Sequence, residues 1–375
     1  MAYLGENIPK LGFGLMRLPE LEENGEKAID IEQVKEMVDT FMAAGFSYFD
    51  TAFGYHGGRS EEAIKTALVK RYPRESFQLA TKLPAWMAKN AEDAKAMLAT
   101  SLRRTGAGYF DFYLLHNLGD ARTAVFEDFG IWDFLRGQKE KGVIKHLGFS
   151  FHDKAGHLEA VLKAHPEAEF VQLQINYADW ENPMVEARKC YEVARAFGKP
   201  VVVMEPVRGG SLAVLPDAVA SIFRKADPSA SLPSWALRFA ASLEGLVTVL
   251  SGMSTTGQVR ENTELMRDFK PLSTDERQVV AQAQQALERL PHIPCTDCRY
   301  CVKDCGKGIH IPGILGALNT YLWFGDLQRA RGSYFFASMH AKASECVECG
   351  NCESVCPQHI PIIDELKRCV ELLEA

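Results

Sequence analysis

The sequence predicts an α/β chain, with a (β/α)8 TIM-type barrel over residues 1–290 and a small, mostly α-helical domain over residues 291–375. Two observations carry this. From Leu11 to about Arg267, β-branched or aromatic runs alternate eight times with amphipathic helical stretches, the pattern of a parallel sheet with crossover helices. Beyond a linker marked by Pro291 and Pro294, one cysteine spacing occurs twice, which sets the tail apart.

The strands are expected to begin near Leu11, Phe46, Phe77, Phe110, Ile144, Phe170, Val201 and Val247, with helices such as Ile31 to Ala44 and Pro183 to Phe197 between them. Eight units favour closure into a barrel. The alternative is an open doubly wound sheet. Apart from Gly12 and Gly14, however, no glycine pair opens a helix directly after a strand, so the barrel is preferred. Ser273 with Glu276 three residues on forms a capping box and predicts a helix through the Gln-rich run Arg277 to Arg289. The apolar stretch Ile311 to Ala341 lies between the two cysteine runs and has the length of helices rather than of a hairpin loop.

Composition narrows the class of function. With 375 residues and 47% hydrophobic content, the chain can bury one large core and still form a smaller second domain. A net charge of -7, with both signs well mixed, leaves no basic stripe for a phosphate backbone, so nucleic acid is not an expected partner. No basic segment followed by an apolar run opens the chain, and no stretch reaches the roughly 18 apolar residues of a membrane span. A cytoplasmic protein without membrane contact is expected. Eight of the ten cysteines crowd into the last quarter at tight, repeated spacings, which in this setting means metal ligation rather than disulfides.

Those eight form two copies of C-x2-C-x2-C-x3-C, offset by 51 residues, each followed shortly by His-Ile-Pro at His310 and His359. Three thiolates of a C-x2-C-x2-C turn can meet three corners of a 4Fe-4S cube, and in two-cluster proteins the fourth cysteine of each run serves the other cluster. This assigns Cys295, Cys298, Cys301 and Cys356 to one cluster and Cys346, Cys349, Cys352 and Cys305 to the other. A pair of zinc sites would share the C-x2-C spacing, but zinc wants four ligands and has no use for a doubled four-cysteine run. Residues 291 to 375 thus resemble the helical ferredoxins, in which a long helical insert separates the runs; Gly306 departs from the proline usual after the fourth cysteine, which Pro357 retains. Cys190 and Cys369 lie in helical patterns and are expected to be buried small hydrophobes.

In the barrel, Asp50, Tyr55, Lys82 and His116 fall at or just after the ends of successive predicted strands, where barrels put catalysis. Singly, each has an ordinary structural reading, as a cap, a surface residue or a core histidine. Together, in GFSYFDTAFGYHGGRSEE, LATKLP, DFYLLHN and LGFS, they resemble the aldo-keto reductases over about residues 8 to 270. That resemblance implies a small carbonyl or alcohol substrate, hydride from a reduced nicotinamide, and Tyr55 as proton donor. With Lys82 about 4 Å from the phenol, an effective dielectric of about 20 gives roughly 4 kcal/mol, about three pKa units of lowering. Asp50 would orient Lys82 and cancel part of that. His116 would hydrogen-bond the substrate carbonyl.

The resemblance also implies an NAD(P)H dinucleotide across the C-terminal mouth. Its carboxamide would be held by Ser150 and Gln174, with Met16, Met204, Glu205 and Val207 nearby. Phe151 and Met204 replace the family's asparagine and stacking aromatic, and Glu205 its serine. In VRGGSL, the segment through Gly209, Ser211 and Leu212 would let backbone N–H groups approach pyrophosphate. Ser254, Gln258 and Asn262 match adenosine contacts. Gly252 and Gln258 stand where a lysine and an arginine often bind a 2'-phosphate, which tilts the expectation toward NADH.

A hydride carries two electrons and each cluster takes one, so the halves do not exchange electrons simply. Three readings follow: a carbonyl reductase or alcohol dehydrogenase whose clusters brace it or serve an external redox protein; an electron-transfer component with a flavin or unusual substrate in the barrel, motivated by Phe151, Met204 and Glu205; and a nicotinamide-sensing binding module. The loops Asn117 to Phe126 and Val207 to Ser231 would choose the substrate, and Trp86, Trp132 and Trp180 could line its pocket, although Trp132 has the ordinary reading of a core residue.

Overall fold

In a computed structural model, residues 4–23, 25–119, 122–303 and 305–375 are described. They form two compact units, one comprising residues 1–207 and 236–272, the other residues 208–235 and 273–375. The line expected between residues 290 and 291 falls inside the second unit.

The first unit is the expected closed barrel. Its strands are β1 (Leu11–Gly14), β4 (Tyr48–Asp50), β5 (Gln78–Leu83), β6 (Phe110–Leu118), β7 (Ile144–Phe151), β8 (Phe170–Gln174), β9 (Val201–Met204) and β10 (Leu246–Ser251), all parallel, with β1 paired to both β10 and β4. Each begins within two residues of its predicted start. In the loop after β1, β2 (Glu20–Glu23) and β3 (Glu26–Ile29) form an antiparallel hairpin. Interior side chains such as Tyr48, Phe112, Phe170 and Val247 fill the barrel, and the Tyr48 and Phe112 rings lie 5.0 Å apart. A much larger apolar shell lies between strands and helices, and Cys190 is buried there.

The helix expected from Pro183 begins only at Ala187. Asn182 is the reason: its carbonyl oxygen accepts from the amide of Glu186, its side-chain oxygen accepts from the amide of Met184 at 2.8 Å, and Glu186 takes a left-handed φ of 51°. These bonds satisfy the backbone as a turn and compete with helix. Nor is the segment after Val207 simply a loop. It contains a 3-10 turn over Arg208–Ala213 and, after Pro216, a helix over Asp217–Ala226 that buries Val219, Ala220 and Phe223.

In the second unit the capping box forms as expected, with the Ser273 side chain accepting from the Glu276 amide and the helix running over Thr274–Glu288. The insert is two helices, Ile311–Phe324 and Leu327–Ala337, packed with Ile362–Cys369 around Ile314, Leu318, Tyr334, Leu366 and Cys369. The 51-residue repeat is structural as well as sequential: short helices Tyr300–Lys303 and Asn351–Ser354 occupy matching places. Each run is anchored just upstream of its first cysteine. Asn319 makes two bonds to the backbone of Ile293, of 2.7 and 2.8 Å, while the Tyr334 hydroxyl and Glu374 accept from the amides of Ala343 and Ser344. Among the described residues no helix is long and apolar enough to cross a membrane.

Candidate active site and cluster-binding cysteines

Register explains why the tetrad converges. Asp50 pairs with Ala80, and Lys82 stands two residues further along β5; Lys82 pairs with Leu114, and His116 stands two further along β6. Steps of two keep one face, so Asp50, Lys82 and His116 climb the barrel interior strand by strand toward its C-terminal mouth. Tyr55 comes from the turn after β4, and its ring centroid lies 6.0 Å from that of His116.

Lys82 is buried, and its ammonium bonds Asp50 Oδ1, the Thr51 carbonyl at 2.8 Å and the Tyr55 phenol oxygen at 3.5 Å. Three donor protons thus meet three acceptors. Because the lysine takes a lone pair of the phenol oxygen, the phenol's own proton is left to point elsewhere. Burial tends to strip Lys82 of its proton, but Asp50 and Tyr55 outweigh it and raise the lysine above its ordinary value, so it stays cationic.

The expected net lowering of Tyr55 does not occur. Withdrawal from water raises the phenol above its ordinary 10; Lys82 pulls it down, while Asp50 and Glu205 push it up. Loss of hydration, which the Lys82 charge does not overcome, decides the sign. Burial, aided by Lys82, holds His116 well below its ordinary 6.5, so its imidazole is neutral. Among the described residues nothing bonds its Nδ1.

Three supports escaped sequence reasoning. Gln172 on β8 donates to Asp50 Oδ2 at 3.3 Å across the barrel, and its signal was a polar side chain alternating with apolar ones in a buried strand. Behind the Tyr55 turn, fully buried Glu61 accepts from Thr81 at 2.8 Å and pairs with Arg104 at 3.3 Å; Arg104 also binds the Phe53 carbonyl at 3.0 Å. Gly58, at φ 94°, leaves room for that guanidinium, since a Cβ there would sit 2.7 Å from it. The third is the hairpin, held to the same turn by His56 on Glu20 at 3.0 Å.

The expected cofactor positions divide. Ser150 lies on β7, where its hydroxyl accepts from the Asn117 amide at 2.7 Å. Gln174 ends β8 with its amide fixed on Asp179 at 3.0 Å, and it pairs with Met204 at the end of β9. Glu205 follows at a left-handed φ of 55° and Val207 soon after, while Met16 is exposed in the turn after β1. Ser254 bonds the Arg17 carbonyl at 2.7 Å and Gln258 bonds the Ser254 amide at 2.7 Å, but Asn262 is buried against Ser251. A Cβ on Gly252 would lie 3.7 Å from the Arg17 guanidinium. Gly209, Ser211 and Leu212 belong to the second unit, where Ser211 and Leu212 are buried. Phe151 packs in the apolar shell. Of the tryptophans, Trp86 lies 5.3 Å from His116; Trp132 stacks on His165 at 4.0 Å and Trp180 packs on Phe239 at 5.5 Å, so neither Trp132 nor Trp180 flanks the tetrad as Trp86 does.

In the second unit, Cys295, Cys298, Cys301 and Cys356 line one cavity, three from the first run and one from the second. Cys346 and Cys349 act electrostatically on Cys352. Burial and then neighbouring thiols push Cys301 up to about 12, and burial with nearby acidic and thiol groups pushes Cys352 up to about 11. Such thiols ionise readily only when a metal takes their protons' place. Among the described residues no three His, Cys, Asp or Glu side chains converge on a single-ion site. Four thiols around one cavity suit a larger cluster.

A closed parallel barrel in one unit and a four-cysteine cavity in the other define a two-module protein. The aldo/keto reductase family profile matches residues 10–285, and that of the 4Fe-4S dicluster domain matches residues 294–360. The chain belongs to the aldo/keto reductase family, whose members are oxidoreductases, and its C-terminal region is a 4Fe-4S dicluster domain. A probable aldo-keto reductase of Glycine max is 27% identical over 220 residues, covering 55% of this chain and 58% of that protein, so the chain spans little more than half of that relative. An NADH-specific methylglyoxal reductase of Escherichia coli is 25% identical, covering 67% and 88%. The holo form of an aldo-keto reductase from Bacillus halodurans superposes with a TM-score of 0.61 at 24% identity, covering 76% of this chain and 96% of that one.

Proposed function

We propose that this chain reduces a small carbonyl to an alcohol, or runs the reverse, with Tyr55 moving the proton. The observation that carries this reading is the Lys82 ammonium, held by Asp50 and Thr51 and directed at the phenol oxygen. Reduced nicotinamide, when bound, supplies the hydride. As negative charge grows on the carbonyl oxygen, Tyr55 gives up its proton and Lys82 stabilises the phenolate left behind. Neutral His116 offers a ring N–H to the same oxygen and sets the carbonyl's pose, while the Trp86 ring beside it offers the substrate an apolar flank. Ser150 and Gln174 suit the carboxamide, since both are held by their own hydrogen bonds.

The uncharged Gly252 and Gln258, and the NADH-specific relative, favour NADH. Arg17 beside Gly252 favours NADPH, and the test includes both. The two clusters, ligated in the crossed pattern, exchange single electrons with an external redox protein.

The test is anaerobic turnover of cluster-loaded protein with either dinucleotide and a broad carbonyl panel. Tyr55→Phe should lower the rate by about 10²- to 10⁴-fold while leaving dinucleotide binding, read by fluorescence, unchanged. If no carbonyl drives oxidation of either dinucleotide, the reading fails.

A further inference from the structure

The two cysteine runs are copies, and the repeat provides an internal control. Asp297 and Glu348 match, with left-handed φ of 53° and 54°. Two residues on, the backbone is left-handed again in both copies, at 62° and 78°. In the second run that residue is Gly350, which adopts this conformation without steric cost. In the first run it is Arg299, for which the same backbone is strained. A strained residue at a ligand-binding turn, where the chain's own second copy uses glycine, calls for a reason outside folding.

Arg299 lines the cavity with Cys295, Cys298, Cys301 and Cys356, and the remaining described residues that line it are uncharged. Its Nε lies 3.3 Å from Asp297 Oδ1, a contact that steers the guanidinium and offsets part of its charge; the Asp297 carboxylate also bears on Cys295, but of the two only Arg299 lines the cavity. The second run has no side chain at the matching position. Its nearby cation, Lys367, is engaged with Glu348 at 2.8 Å, and both are more than half exposed, so water and salt screen it.

We propose that the two clusters differ in reduction potential, and that Arg299 makes the cluster of Cys295, Cys298, Cys301 and Cys356 the first to accept an electron. This rests on the two-cluster reading with crossed ligation. One electron from a one-electron donor reduces the cluster's iron, no proton moves, and the site gains one negative charge. A guanidinium on the cavity wall stabilises the reduced form over the oxidised one. An electron entering through either cluster therefore rests beside Arg299 before it leaves for a one-electron acceptor.

An anaerobic redox titration of the full chain tests this, with dithionite and mediators as donor and electron paramagnetic resonance as readout. Two one-electron waves are expected. Arg299→Gly should draw the higher wave down toward the lower, Gly350→Arg should draw the lower wave up, and Arg299→Lys should largely keep the wild-type separation. Coincident waves in the wild type, or a separation that Arg299→Gly and Gly350→Arg both leave unchanged, would overturn the proposal. Iron and sulfide are counted first: wild-type protein lacking two clusters refutes the two-cluster reading, and this proposal with it. If Arg299→Gly loses iron, the Gly350→Arg shift decides.

Discussion

At the scale of single residues, the site works by opposing solvation against charge. Lys82 and Asp50 are both taken out of water, and the ion pair holds only because Thr51, Gln172 and Tyr55 satisfy the remaining valences. The consequence for pH is specific. In the proposed mechanism Tyr55 is the donor while protonated, and its value is raised above 10; His116 is neutral until the pH falls well below 6.5. Carbonyl reduction should therefore show a plateau from about pH 6.5 to 10, with loss on the alkaline side as Tyr55 ionises and no loss near neutrality from His116. A bell-shaped profile of kcat/KM centred below pH 7 would contradict this assignment. The convergence of Asp50, Tyr55, Lys82 and His116 was legible because strand ends and same-face spacing are local properties. The sign of the Tyr55 shift was not, because burial depends on what the closed barrel packs around the phenol.

At the scale of elements, periodicity carried the eight strands and the two insert helices, and the Ser273–Glu276 box fixed a helix start. The hairpin over Glu20–Ile29 is short and Glu-rich, with no alternation of apolar residues to reveal it, and Asn182 delayed a helix that periodicity alone extended to Pro183. Long-range buried pairs were equally hidden. Glu61 and Arg104 are 43 residues apart and meet only because the Tyr55 turn packs on the helix Ala91–Thr105. Arg104→Leu would leave the Glu61 carboxylate buried without its cation and free the Phe53 carbonyl. We expect a loss of about 3–5 kcal/mol in chemical denaturation, with Glu61→Gln in the same chain restoring part of it. Additive effects of the two substitutions would show that the pair does not act as a unit.

At the scale of the whole molecule, the cysteine pattern announced both the second module and the crossing of Cys356, and in the fold Cys356 lines the cavity of the first run. The proposed crossed ligation would make the runs one folding unit that metal closes. Stripping iron with a chelator under anaerobic conditions should lower helical circular dichroism and open residues 291–375 to protease, while the barrel keeps its own unfolding transition. Full retention of helix and protease resistance would show that clusters do not brace the unit. What the barrel does is tested most directly by isotope transfer. With dinucleotide deuterated at the hydride position and an accepted carbonyl, anaerobic turnover should put deuterium on the carbinol carbon of the product, and Tyr55→Phe should suppress that product. Alcohol formed without deuterium from the dinucleotide, or formed undiminished by Tyr55→Phe, would contradict the account.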